Sequence, residues 1–426
     1  MSTVLPDAAE GAIAAEDVAE PVAQAVVRAA PNRLESMDAL RGLALLGIVQ
    51  VNIQSFTWGS GEPLGYLASP PETGEPILYF LQAAFVEGKF YPIFGFLFGV
   101  GMALQMRKLR RLHAHVLAAA QAAYRRRLLI LLAMGLAHGL LLFSGDVLAA
   151  YAACGLIFVA LAPQRLGDLR RFTAAAMAAA AAGLLLPMAI AATMGANPTP
   201  QEIPAAATQA HAIYVAAGYA GQLGQRAADE LWQQVSVIPT FWPQVLALFG
   251  LGVIAGRLGW LQRPERHRLV WRRAWQIGLG MGLPLSLAGA AMSVAQARTL
   301  PGADSDWGAV VLGLGSMLAA AYVAAAVHVF NRPWGTALRR WLAAPGRLSL
   351  TNYVVQSVVM GAVLSGWGLG LGNQLGRVQL MGLAALIFVL QMIASRALLR
   401  RYRQGPLEAL WRRATYGRRL DHGVNT

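Results

Sequence analysis

His138 and Asp146 are the residues of this chain best suited to moving a proton. An imidazole titrates near neutral pH, and a carboxylate held against one of its nitrogens decides which tautomer faces a substrate. Such a pair is a general base with its orienting partner. The two stand at the turn of YRRRLLILLAMGLAHGLLLFSGDVLAAY, residues 124–151. Three arginines open an apolar run of helical length, His138 comes late in it, and Asp146 opens a second apolar run just after Gly145. This pattern predicts a membrane helical hairpin with polar chemistry at its tip. Asp146 also has the side chain of a helix N-cap, which is compatible with orienting a histidine. A histidine hydrogen-bonded between helices is the structural alternative to a catalytic one.

Other polar residues sit where lipid should surround the chain. Glu87 and Lys89 interrupt an apolar stretch over 77–105 that also holds Gly88 and Pro92. An ionised side chain at the centre of a membrane helix costs about 2.5 to 3.5 kcal/mol, so these two need a reason to be there. A broken or kinked helix lining a polar cavity is one, and a packing salt bridge is another. Asp38 and Arg41 have the i, i+3 spacing of an intrahelical pair. Ser349, Asn352 and Gln356, at i, i+3 and i+7 after Arg347, form one polar stripe open to helix–helix hydrogen bonding or to substrate. Asn52 lies about 21 Å along its helix from Asp38, at the depth of the hairpin tip. Glycine patterns such as Gly135 with Gly139 and Gly252 with Gly256 read as close-packing signals, and none follows a strand as a nucleotide-binding loop would.

The elements that carry these residues follow from composition. The chain is 56% hydrophobic and 13% charged, with a mean hydropathy of +0.48. Its apolar runs approach the roughly 20 residues that cross a bilayer as a helix, and they are too continuous for barrel strands. The expectation is an all-α, polytopic transmembrane bundle of about ten spans: 38–56, 77–105, 128–143, 147–162, 172–194, 241–261, 274–295, 307–330, 349–367 and 378–399. Residues 1–36 read as a disordered cytoplasmic tail, 37–399 as the transmembrane domain, and 400–426 as a basic cytoplasmic segment. Residues 197–239 form an outer loop with amphipathic helices lying on the surface.

The net charge of +14 does not indicate nucleic acid, because the arginines recur in alternate loops. Seven Lys/Arg lie in 107–127, six in 257–273 and four in 332–347, whereas the opposite loops hold only Arg226, Arg298 and Arg377. By the positive-inside rule both termini are cytoplasmic. The single cysteine, Cys154, excludes an intramolecular disulfide and any cysteine metal cluster, and no metal is expected.

Several segments resemble the YeiB-like family of bacterial inner-membrane proteins, a domain of unknown function: MDALRGLALLGIVQVN at 37–52, GKFYPIFGFLFGVGMALQ at 88–105, the hairpin, GRLSLTNYVVQS at 346–357 and GPLEALWRRATYG at 405–417. The first span and the histidine span are also similar to those of membrane acyltransferases such as heparan-α-glucosaminide N-acetyltransferase. That resemblance implies acyl transfer from cytoplasmic acyl-CoA to a periplasmic or lipid-linked acceptor, with His138 as the matching histidine and Asp146 its orienting carboxylate. In this reading Asn52 would donate to the oxyanion, Arg41, Arg347 and the basic C-terminal segment would draw the CoA phosphates, and Asp38, paired with Arg41, would stand with them at the cytoplasmic substrate entry. Glu87, Lys89, Ser349, Asn352 and Gln356 would line the acyl path. Membrane lipids are the expected surroundings, and a homo-oligomer is compatible with the packing signals. A small-molecule transporter, or a lipid- or quinone-binding protein without catalysis, are the alternatives.

Overall fold

The computed structural model describes residues 31–58, 75–109, 114–161, 165–194, 202–236, 238–299 and 307–416, and among these every regular element is a helix. Most of the tail expected over 1–36 and the end of the basic segment lie outside the described residues, but 31–36 already belong to the first helix. In chain order the helices are α1 Pro31–Trp58, α2 Glu75–Phe85, α3 Tyr91–Leu109, α4 Ala114–Leu141, α5 Leu148–Leu161, α6 Leu166–Met194, α7 Glu202–Ala216, α8 Tyr219–Ser236 and α9 Phe241–Leu258. Then α10 Arg268–Ile277 runs through a π turn into α11 Leu283–Thr299, and α12 Trp307–Leu314 runs through a 3-10 turn into α13 Leu318–Phe330. The chain ends with α14 Thr336–Arg347, α15 Ser349–Leu364, α16 Arg377–Arg401 and α17 Pro406–Tyr416.

Five described stretches are long and apolar enough to cross a membrane: Glu35–Thr57, Phe241–Leu258, Pro264–Ala295, Gly308–Phe330 and Arg377–Arg401. Three shorter apolar helices, Tyr91–Gln105, Leu148–Ala160 and Ser349–Leu364, pack among them. On α16, Leu386, Val389, Leu390 and Ile393 are exposed, as are Leu129, Leu136 and Leu140 on α4. Rows of leucine facing outward fit lipid and not water as the surrounding medium.

Helix α1 is the axis of the bundle. Its Leu40, Leu45, Val49 and Ile53 are buried in a core shared with Leu97 of α3, Phe330 of α13 and Phe388 of α16. It touches α14 backbone to backbone: a Cβ on Gly42 would lie 2.0 Å from the Leu342 carbonyl oxygen, and one on Gly346 would lie 1.8 Å from that of Asp38. The glycines of the DALRG and GRLS segments are there because no side chain fits.

The stretch expected as one long second span is two helices that meet at 86–90, where Gly88 takes φ +73°. A helix broken inside a bundle leaves its last carbonyls without intrahelical partners. Here each finds one. Lys89 Nζ donates to the Ala83 carbonyl at 2.7 Å, Ser286 Oγ to that of Ala84 at 2.6 Å, and the Tyr322 hydroxyl to that of Phe85 at 2.8 Å. The Gln82 carbonyl accepts the amides of Val86 and Glu87 at 2.8 and 2.9 Å. Lys89, fully buried, is thus the cap of α2, which accounts for a lysine at that position.

Candidate active site

The site grows out of the α4–α5 hairpin. Helix α4 ends at Leu141, and the amides of Leu142 and Phe143 both donate to the His138 carbonyl at 2.9 Å, starting a tight turn. Phe143 stacks on Phe56 of α1 with ring centroids 5.0 Å apart, which fastens the tip to the bundle axis. The two hairpin helices approach closely through Gly135, where a Cβ would lie 2.3 Å from the Ala149 amide nitrogen. This approach brings Asp146 against His138.

Asp146 uses its two oxygens for two tasks. Its Oδ2 accepts the Ala149 amide at 2.8 Å, capping α5, and its Oδ1 lies 2.9 Å from His138 Nδ1. The Tyr353 hydroxyl also donates to Oδ1, at 3.3 Å. A carboxylate can only accept, so in the neutral imidazole the proton belongs on Nδ1 and Nε2 presents its lone pair. That lone pair faces Ser357 Oγ of α15 at 2.9 Å. The side chains of His138 and Asp146 are 2% and 0% exposed, so water does not compete for these bonds. The arrangement is a serine, a histidine and an aspartate in series, the geometry that lets a histidine draw a proton from a hydroxyl while the carboxylate stabilises the resulting imidazolium.

Helix α8 roofs the tip. Gln222, Arg226, Asp229 and Glu230 are buried on one face, whereas Leu231, Trp232 and Val235 are exposed on the other. The helix is amphipathic, with its polar side turned inward. Arg226 Nη1 and the Tyr219 hydroxyl donate to the Leu141 carbonyl at 2.8 Å each, closing the end of α4. Gln234 Nε2 donates to the Asp146 carbonyl at 3.2 Å and to Glu230 Oε1 at 2.9 Å, while Glu230 Oε2 is buried with no hydrogen-bond partner. The carboxyl fits only because residue 139 is a glycine, where a Cβ would lie 2.6 Å from its Cδ. Burial pushes the Glu230 carboxyl up to about 7; the Gln234 bond opposes this, and the Asp146 carboxylate adds to it.

A cavity of about 260 Å³ lies near the pair, lined on that side by Val147 and Tyr353. Its lining changes from charged or polar to apolar along three helices: Arg41 to Ile48 on α1, Gln105 to Leu97 on α3, and Arg127 to Leu131 on α4. Arg347 and Ser349 lie at the charged end; Val147 and Tyr353 lie next to Asp146. The Tyr353 ring, 4.9 Å from that of His138, separates the cavity from the histidine. At the mouth, the Arg127 guanidinium lies 3.6 Å over the Trp411 ring. Glu408 of α17 accepts the amides of Leu350 and Thr351 at 2.9 and 3.0 Å, so the C-terminal helix caps α15.

The structure distributes the residues singled out in the sequence as follows. Arg41, Arg347 and Ser349 line the cavity, and Arg41 pairs with Asp38 at 2.8 Å within α1. Asn352 and Gln356 turn the other way, onto α16. Asn352 Nδ2 donates to Ser395 Oγ at 2.9 Å, Gln356 Nε2 to Gln391 Oε1 at 2.8 Å, and Gln391 back to the Asn352 carbonyl at 2.9 Å. The stripe is an interhelical polar seam, and only Ser349 of its three members lines the cavity. Lys89 and Glu87 lie at the α2–α3 break and outside the cavity lining, with Lys89 engaged as a cap. Asn52 is half-buried on α1, and the hydrogen bonds of the His138 ring go to Asp146 and Ser357 instead. Among the described residues no three His, Cys, Asp or Glu side chains are grouped to hold a metal ion.

Three residues around the histidine escaped the sequence reading. Ser357 and Tyr353 follow Ser349 at four-residue intervals, a second stripe beside the one noticed. Glu230 belongs to the series Gln222, Arg226, Glu230, Gln234, also at four-residue intervals. Each stripe was visible as helical spacing, but neither announces which distant residue it meets.

Residues 255–418 match a family described as a protein of unknown function, DUF418. The chain is 26% identical over 403 residues to the uncharacterized protein YxaH of Bacillus subtilis, covering 90% of this chain and 94% of that protein. It is 26% identical over 399 residues to the uncharacterized protein YeiB of Escherichia coli, covering 89% and 95%. No solved structure matches it. The chain is thus similar to YxaH and YeiB over about nine tenths of its length, and its part from residue 255 to 418 is similar to the DUF418 family.

Proposed function

We propose that the protein is a transmembrane acyltransferase of the bacterial inner membrane. It would take an acyl group from cytoplasmic acyl-CoA and deliver it to a periplasmic or lipid-linked acceptor, with His138 as the base. The observation that carries this reading is the Asp146–His138–Ser357 series behind Tyr353, which lines the apolar end of a cavity whose other end is lined by Arg41, Arg127 and Arg347. Arginine guanidinium groups bind phosphates through paired charge-assisted hydrogen bonds, which suits the phosphates of a CoA. Apolar walls beyond them suit an acyl chain and its thioester. In this reading the ten spans are α1, α2 with α3, α4, α5, α6, α9, α10 with α11, α12 with α13, α15 and α16. Both termini and the cavity mouth are then cytoplasmic, and the α8 roof is periplasmic. His138 therefore stands between the donor side and the acceptor side.

The capping role of Lys89 supports this reading over a transporter, because the charge at the helix break is occupied structurally. Thermal unfolding of the purified protein with acetyl-CoA, longer acyl-CoAs, free CoA and ATP tests it. A ligand at a hundred times its dissociation constant stabilises the native state by about 2.7 kcal/mol. We expect acyl-CoA to raise the midpoint, and Arg41→Ala or Arg347→Ala to remove the rise. No shift with any CoA species, where a lipid does stabilise, would favour a transporter or a lipid-binding protein.

A further inference from the structure

We propose that Ser357 is the nucleophile of the reaction and carries the acyl group as an ester on its Oγ between the donor and acceptor steps. This deepens the transferase reading and rests on it for the identity of the donor.

Two observations argue for it. First, a serine inside a helix ordinarily gives its hydroxyl proton to the carbonyl one turn back. Here that carbonyl, on Tyr353, is 3.5 Å from Ser357 Oγ, while His138 Nε2 is 2.9 Å away, so the main bond of the hydroxyl is to the base. Second, the position that an acceptor hydroxyl must take to be deprotonated by Nε2 is already filled by Ser357, which is 1% exposed. A direct transfer would need that serine displaced, whereas a covalent route uses it where it stands. Tyr353, at the inner end of the cavity, is one turn before Ser357 on the same face of α15, about 6 Å along the axis. A thioester passing the Tyr353 ring therefore meets the Ser357 hydroxyl next.

The chemistry balances without a further reactant. In the first step the Ser357 proton moves to His138 Nε2, an Oγ–C bond forms to the acyl carbonyl carbon, the C–S bond breaks, and the CoA thiolate takes the proton from His138. In the second, His138 takes the proton of the acceptor hydroxyl and the acceptor oxygen attacks the ester carbon. Ser357 Oγ then leaves and recovers the proton. Holding the acyl group on the protein lets CoA depart on one side before the acceptor enters from the other.

The test uses the full chain in lipid nanodiscs, treated separately with radiolabelled acetyl-CoA and with diisopropyl fluorophosphate, then acid-quenched and mapped by peptide mass spectrometry. We expect acetyl and phosphoryl adducts on Ser357, none on Ser357→Ala, a hydroxylamine-labile thioester on Ser357→Cys, and labelling slowed by about 100-fold or more in His138→Ala. If Ser357→Ala transfers acyl groups as fast as the parent while His138→Ala does not, the nucleophile is overturned and the transferase reading stands. If the fluorophosphate labels Ser357 in a His138-dependent way but no acyl-CoA labels or stabilises the protein, the donor is wrong and the nucleophile stands. If neither reagent labels a protein that unfolds like the parent, Ser357 is a structural hydrogen-bond donor and the proposal fails.

Discussion

His138 Nε2 and Ser357 Oγ lie 2.9 Å apart although 219 positions separate them in the chain. The bond joins the α4–α5 hairpin to α15, and α15 is in turn capped by the C-terminal helix through Glu408. A single buried contact therefore ties together the hairpin, the helix that meets the cavity at both ends, and the element that closes its mouth.

The buried Glu230 should make stability depend on pH in a definite direction. Its carboxyl ionises near the ordinary glutamate value of 4.5 when unfolded and at about 7 when folded. Between these values the unfolded chain has lost its proton and the folded one has kept it. The contribution is therefore fully present below about pH 4.5 and is lost as the pH rises through about 7. The unfolding midpoint should fall over this window in the parent, and the fall should be smaller in Glu230→Gln. Identical pH profiles for the two proteins would show that Glu230 does not titrate there.

How far the sequence reveals this arrangement depends on how local each interaction is. The hairpin and its tip were legible because His138 and Asp146 lie within one apolar–turn–apolar pattern, and the break at Gly88 was legible because charge, glycine and proline coincide. The partners were not. Ser286 and Tyr322, which complete the capping of α2, and Ser357, which meets His138, come from elements far along the chain, and helical spacing records a face without naming its neighbour. The same limit explains Asn352 and Gln356: their shared stripe was visible, but only the position of α16 decides that they bond to Gln391 and Ser395 and leave the cavity wall to Ser349 and Tyr353.

Glu408 offers a test of the docked C-terminus. Removing its carboxylate strips the cap from two amides at the start of α15. Glu408→Ala should therefore lower stability by about 0.5 to 2 kcal/mol, the range for loss of an N-cap, with Glu408→Gln in between. Denaturant or thermal unfolding reads this directly. An unchanged midpoint would mean that α17 is dispensable for α15.

Gly139 and Glu230 should be coupled. A methyl group at 139 would lie 2.6 Å from the Glu230 Cδ and Oε1, so Gly139→Ala must push the roof helix away. The change should destabilise the parent, and the loss should shrink by about 0.5 to 3 kcal/mol when Glu230 is also alanine, the range of coupling for residues in contact. Additive losses in the double-mutant cycle would place the strain elsewhere.

The most direct measurement for the whole account is acyl transfer itself. Membrane vesicles with the cytoplasmic face outward, carrying the parent or its variants, would be given radiolabelled acetyl-CoA, and label in lipid and lumenal glycan would be counted. The account predicts transfer in the parent and a drop of about 100- to 10,000-fold in His138→Ala and Asp146→Asn, the range that loss of a general base or its orienting carboxylate produces. Equal transfer by the parent and His138→Ala would contradict it.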